Sequence, residues 1–167
     1  MLGVSVIGGY LGAGKTTLVN HLLRNADGQR LAVLVNEFGA LPIDEDLIET
    51  TSENMISLAG GCVCCSFGSD LVAAMNTLAR IEPPPDNVIL EASGVALPGA
   101  IAGTLSLLPS FTLDGVVVLA DAETVRQTAT DKYMADTITR QLADADIVLL
   151  NKTDLASRAE LIKLREW

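Results

Sequence analysis

The stretch Gly9-Tyr10-Leu11-Gly12-Ala13-Gly14-Lys15-Thr16 follows an apolar run from Leu2 to Ile7 and opens a segment of helical spacing that begins at Thr17. Strand, glycine-rich turn and helix in that order are the context that a phosphate-binding loop requires. The glycines let the backbone bend so that successive N–H groups point inward and form a nest for phosphate oxygens. Residues Gly12, Ala13, Gly14 and Thr17 would line that nest, and Lys15 supplies a mobile positive charge. Thr16 offers a hydroxyl to a magnesium ion bridging the β- and γ-phosphates, and the N-terminus of the helix adds its partial positive charge. The bland alternative is a tight turn that binds nothing; the four fixed positions in their proper context favour a nucleoside triphosphate.

At 167 residues the chain suits one domain, residues 1–167, and 49% hydrophobic content supports a sizeable core. Aromatic residues are only 4%, so that core must be built from Ala, Val, Ile and Leu, as in a parallel sheet with helices on both faces. The formal net charge of −10 opposes non-specific attraction to nucleic acid or to an anionic membrane. No apolar run has the length of a membrane span and the N-terminus has no signal-peptide pattern, so the expectation is a cytoplasmic protein. The three cysteines, Cys62, Cys64 and Cys65, have no partner elsewhere for a disulfide framework and read as reduced thiols.

Along the chain, Leu31 to Val35 is a continuous apolar run that reads as a buried parallel strand, and Asn36-Glu37-Phe38-Gly39 follows at its C-terminal end. In open α/β sheets that edge is where ligands bind, so Glu37 is a candidate to approach a metal, against the plainer reading of a solvated acidic loop continuing through Asp44, Glu45 and Asp46. His21, the single histidine, reads as a packed or half-exposed helix residue. Met55 to Leu58 predicts a short strand that leads into Gly60-Gly61-Cys62-Val63-Cys64-Cys65. Three thiolates so close in sequence can converge on one zinc or other late transition metal and leave a position open, which suits binding with exchange. Packed thiols or a redox pair are the alternatives.

Asn87 to Glu91 reads as a buried strand ending in an acid and followed by Ala92-Ser93-Gly94. Glu91 there can orient the magnesium shell or the attacking water, while the glycine lets backbone approach a γ-phosphate. Asp114-Gly115 introduces a strand over Val116 to Ala120, closed by Asp121, and residues Asp131 to Ala145 carry Met134, Ile138 and Leu142 at helical spacing. Ile147 to Leu150 reads as another buried strand, ending in Asn151-Lys152-Thr153-Asp154. That tetrad selects guanine: the Asp154 carboxylate can accept from N1–H and from the exocyclic amine, and the stem of Lys152 covers the base face. The expected fold is therefore a three-layer α/β/α P-loop NTPase with a mostly parallel central sheet.

Taken together, Gly-Gly-Tyr-Leu-Gly-Ala-Gly-Lys-Thr-Thr, Asn-Glu-Phe-Gly, Gly-Gly-Cys-Val-Cys-Cys, Glu-Ala-Ser-Gly and Asn-Lys-Thr-Asp resemble, in that order, the CobW family of GTPases. The family is one of metal chaperones, related to the nickel-insertion GTPases of urease and hydrogenase. The resemblance covers residues 1 to about 155 and implies that Lys15 and Thr16 hold phosphate and magnesium and that Asn151, Lys152 and Asp154 hold guanine. It further implies that Cys62, Cys64 and Cys65, with Glu37, hold a cargo metal, zinc or cobalt before nickel, passed to a client metalloprotein. The family has a second, C-terminal domain, so the resemblance implies a GTPase domain cut short at its C-terminal end, whose open sheet edge could pair with a second copy. The expectation is a slow, magnesium-dependent GTPase assisted by Lys15, Thr16 and Glu91, against a redox-active activator or a non-catalytic binding module.

Overall fold

The computed structural model describes residues 1–35, 55–58 and 69–167. Strands and helices alternate along them: β1 (Leu2–Gly9), α1 (Lys15–Arg24), β2 (Leu31–Val35), β3 (Met55–Leu58), α2 (Ser69–Leu78), β4 (Asn87–Glu91) and α3 (Pro98–Leu105). There follow β5 (Phe111–Asp121), α4 (Val125–Thr128), α5 (Ala135–Ala143), β6 (Ile147–Asn151), a 3-10 turn at Thr153–Leu155 and α6 (Arg158–Arg165). The strands form one six-stranded sheet in the order β3-β2-β4-β1-β5-β6, with every neighbouring pair parallel. A parallel pair cannot be closed by a hairpin, and the helices in the described connections cover both faces of the sheet.

The period-two alternation of the strands decides which face each side chain serves. Val4, Val6, Ala32, Leu34, Val88, Leu90, Val116 and Val118 point to one face, where Leu71, Met75 and Leu78 of α2 and Ile101 and Leu105 of α3 pack on them. Ile7, Leu31, Val33, Ile89 and Leu119 point to the other, against Val19 and Leu23 of α1. Both faces being buried explains why β1, β2 and β4 read as unbroken apolar runs rather than alternating ones. The result is a three-layer α/β/α fold. A third cluster, Ala120, Val125, Ile138 and Leu164, ties α4, α5 and α6 to the β5 side of the sheet.

Three local expectations are corrected. The helix after the glycine-rich turn begins at Lys15 rather than at Thr17, because Gly14, at φ 99 and ψ 22, is already its N-cap. Strand β5 starts at Phe111 rather than at Val116; the register against β1 shifts between Val4 and Ser5, whose partners are Leu113 and Gly115, so Asp114 is the extra residue of a bulge. Strand β6 is an edge strand and not a buried one: Ile147 is 56%, Val148 43% and Leu149 39% exposed. Its apolar sequence is that of an interior strand, but it pairs with β5 alone among the described residues. Among the same residues no helix is long and apolar enough to cross a membrane.

The packing separates two leucines two residues apart at the end of α3. Leu105 is 1% exposed within the larger core cluster, whereas Leu107 is 79% exposed. Leu105→Ala is expected to lower unfolding free energy by about 2–5 kcal/mol and Leu107→Ala by less than about 0.5 kcal/mol, as read from urea denaturation midpoints.

Candidate functional site

The site lies at the C-terminal edge of the sheet, where β1 and β4 are neighbours. The chain leaves β1 for α1 on one face and leaves β4 for α3 on the other, so the two exits diverge and open a crevice at the switch of direction. The residues that follow β1 are the glycine-rich turn, and those that follow β4 are Ala92-Ser93-Gly94.

The turn is tightly held. The Ala13 amide donates to the Tyr10 carbonyl at 3.1 Å, and the Lys15 ammonium, 6% exposed, donates to the same oxygen at 3.3 Å. Gly14 sits in the left-handed region, and a Cβ there would collide with the Asn151 side-chain amide. Only glycine both adopts that backbone and leaves the room. Helix α1 therefore starts with no side-chain cap and no acidic residue in its first turn, and its leading N–H groups are suited to an anion. Thr17 and Gly12 are exposed at this end, and Ala13 is buried beneath it.

Thr16 Oγ1 donates to Glu91 Oε1 at 2.8 Å, joining the first turn of α1 to the last residue of β4. Glu91 is 1% exposed. With its proton directed to Glu91, the Thr16 hydroxyl keeps its lone pairs for a cation, so these residues fit a magnesium ion, which takes hard oxygen ligands.

Asn151, at the end of β6, donates from Nδ2 to the Ala13 carbonyl at 2.8 Å and so ties the end of that strand to the glycine-rich turn. Lys152 follows in the left-handed conformation, at φ 55, and its Nζ lies 2.8 Å from Asp121 Oδ2. Asp121 ends β5, and its other oxygen, Oδ1, accepts from the Glu123 amide at 3.0 Å. Burial alone would raise the Asp121 carboxyl, but the Lys152 hydrogen bond and charge and the Glu123 and Thr124 amides together hold it below its ordinary value. Asp154, in the 3-10 turn, is exposed.

The structure thus brings together Gly12, Ala13, Gly14, Lys15, Thr16, Thr17 and Glu91, with Asn151 bonded to the turn; Lys152, paired with Asp121, and the exposed Asp154 follow Asn151 along the chain. His21 is exposed in the last turn of α1, away from the glycine-rich turn. Glu37, Cys62, Cys64 and Cys65 lie outside the described residues. Sequence reading missed the partnership of Asp121 with Lys152, although an acid closing the strand beside the Asn-Lys-Thr-Asp strand was a signal to pair them.

A family model described as the CobW/HypB/UreG nucleotide-binding domain matches residues 3–167. The zinc chaperone CobW of a Sinorhizobium species is 35% identical over 190 residues, which cover 97% of this chain and 54% of that protein. Zinc-regulated GTPase metalloprotein activator 1 of Schizosaccharomyces pombe is 34% identical over 173 residues, 98% of this chain and 42% of that protein. The chain spans about half the length of the curated relatives it matches. Among solved structures, the hydrogenase maturation factor HypB from Archaeoglobus fulgidus superposes with a TM-score of 0.62 at 17% identity, covering 98% of this chain and 74% of that one. That likeness concerns the fold. A match running almost from end to end leaves one assignment: the chain belongs to the family of CobW/HypB/UreG nucleotide-binding domains.

Proposed function

We propose that this chain binds and hydrolyses GTP and couples the nucleotide state to the binding or transfer of a transition metal, zinc or cobalt, destined for a client protein. The observation that carries the reading is the hydrogen bond from Asn151 to the Ala13 carbonyl, which holds a base-reading segment against a phosphate cradle. The names of the relatives, a zinc chaperone and a zinc-regulated GTPase metalloprotein activator, support it.

The geometry is compatible with the following roles. The N–H groups of Gly12 to Thr16 and the Lys15 ammonium would take the phosphate oxygens, and the buried position of Lys15 strengthens its charge there. Magnesium, when bound, would be held through Thr16 and would neutralise charge on the β- and γ-phosphates. Glu91, engaged with the Thr16 hydroxyl, orients that group; with no other base assigned, turnover is expected to be slow. Asp154 would accept from the guanine N1–H and amine, while Asp121 acts through Lys152, fixing the lysine whose stem covers the base. Cys62, Cys64 and Cys65, with Glu37, are the proposed cargo ligands, soft thiolates suited to zinc. The metal is cargo, so its affinity must differ between the GTP and GDP states if hydrolysis is to drive transfer.

Four outcomes are expected. Replacing Cys62, Cys64 and Cys65 together by serine should abolish zinc binding in a competition titration while GTP binding persists. In the wild type, zinc affinity should differ between GDP and a non-hydrolysable GTP analogue; equal affinities would remove the coupling. Asp154→Asn should weaken GTP about tenfold or more and improve xanthosine triphosphate, because the amide can donate where the carboxylate only accepts; an unchanged preference would count against the guanine assignment. Asp121→Asn should cost about 1 kcal/mol in urea denaturation at pH 7. Because the folded Asp121 carboxyl is held below the ordinary 3.8, that difference should persist down through pH 5 and shrink only as pH falls below the ordinary value.

A further inference from the structure

Helix α5 carries a buried carboxamide that none of the roles above employs. Gln141 is 1% exposed, and its Nε2 donates to two carbonyls of one loop, Gly94 at 3.1 Å and Ala96 at 2.8 Å. A leucine would fill the same volume without desolvating an amide, so the bonds and not the packing account for a glutamine at this position. The loop is the one that follows Glu91. Its own turn is closed by the Ala96 amide donating to the Ser93 carbonyl at 2.9 Å, and it runs directly into α3.

Gly94 places that loop on the phosphate cradle. A Cβ at Gly94 would collide with the Leu11 side chain and come within 2.8 Å of the Leu11 backbone nitrogen, so the loop lies directly against Leu11 with no room for a side chain of its own. Whatever holds the Gly94 carbonyl therefore holds the loop at its distance from Leu11 and Gly12. The same helix is fastened twice more. The Tyr10 hydroxyl of the glycine-rich turn reaches the sulfur of Met134, the N-cap of α5, and Asp144, its C-cap, accepts from the Gly99 amide of α3 at 2.9 Å. Helix α5 is thus bonded to the cradle, to the loop facing it, and to the helix that the loop enters.

We propose that Gln141 is a positioning residue for GTP: it fixes the Gly94–Ala96 loop against the phosphate cradle, so that the loop discriminates the γ-phosphate and conveys its presence to α5. The inference rests on the GTP reading given above. A γ-phosphate reaches farther from the cradle than a β-phosphate, so a loop lying on the rim at Leu11 meets GTP more closely than GDP. Loss of the Gln141 bonds should then weaken GTP selectively, whereas a merely structural amide would affect both nucleotides alike.

The test is titration calorimetry on the full chain, with magnesium, measuring GDP and a non-hydrolysable GTP analogue. Gln141→Leu is compared with wild type and with Ile138→Ala, which loosens α5 through its apolar packing with Ala120 and Val125 and removes no side-chain hydrogen bond. Gln141→Leu is expected to weaken the analogue about tenfold while GDP stays within about twofold, and Ile138→Ala to weaken both equally. An analogue-to-GDP ratio in Gln141→Leu equal to that of wild type overturns the proposal and leaves the GTP reading standing. A wild-type chain that bound neither nucleotide would instead bring down the GTP reading and this inference with it. Hydrogen exchange on the wild type decides the matter even if Gln141→Leu fails to fold: the amides of α5 should exchange about tenfold more slowly with the analogue than with GDP, and equal exchange overturns the proposal.

Discussion

The hydrogen bond from Asn151 to the Ala13 carbonyl joins residues 138 positions apart in sequence. It can form only because β6 is carried to the same sheet edge as the exit of β1, with β5 between them. Its geometry also demands that Gly14 have no side chain, since a Cβ would strike the Asn151 amide. Three features that sequence treats as separate, a glycine in the turn, a parallel register and an asparagine near the end, are one constraint in the folded chain. The core serves that constraint. Valines and leucines alternating between the two faces fix the register of every strand, and a slip of one residue would send each of them to the wrong face.

Much of this was legible before the fold was known. The four interior strands, β1, β2, β4 and β5, announce themselves through apolar runs, and the turn from Gly9 to Thr16 is readable from local chemistry alone. What escaped reading depends on neighbours. Ile147 to Leu150 has the composition of a buried strand, yet exposure is set by what lies alongside, and nothing local distinguishes an edge from an interior position. Asp121 and Lys152 are 31 positions apart, and their ion pair exists because β5 and β6 are in register at Asp121 and Asn151. The bulge at Asp114 likewise belongs to the pairing of β1 with β5 and not to either strand alone. Gln141 was passed over for the same reason: a polar residue on a helix is ordinarily solvated, and only the tertiary placement of Gly94 and Ala96 puts it in the interior.

Electrostatics at the site follow a similar division. Lys15 is almost fully buried and Thr16 is bound to a buried carboxylate, so both are held in place by the protein before any ligand arrives. Preorganised groups of this kind cost little reorganisation when a charged ligand binds. Asp121 and Lys152, by contrast, form a partly exposed pair, with side chains 15% and 37% accessible. Such a pair adds no more than about 1 kcal/mol to global stability, and it fixes the direction of one lysine.

Under the proposed function, these differences bear on where a nucleotide-dependent change can occur. The cradle is fastened through the Tyr10 and Ala13 carbonyls, and Gly9 is packed on the Leu119 backbone, so movement of the turn would break several contacts at once. Among the described residues, the loop after Glu91 is held by the Ala92 amide donating to the Ile7 carbonyl at 2.8 Å, by its own turn and by the two bonds from Gln141, and those two bonds come from a single amide. A stiff cradle facing a loop that one side chain ties to α5 concentrates any response in the loop. The helix bearing that side chain is tied to the cradle by Met134 and to α3 by Asp144, so displacement of the loop has to be taken up by α5 as a unit. An interior that is close-packed transmits such a shift instead of absorbing it.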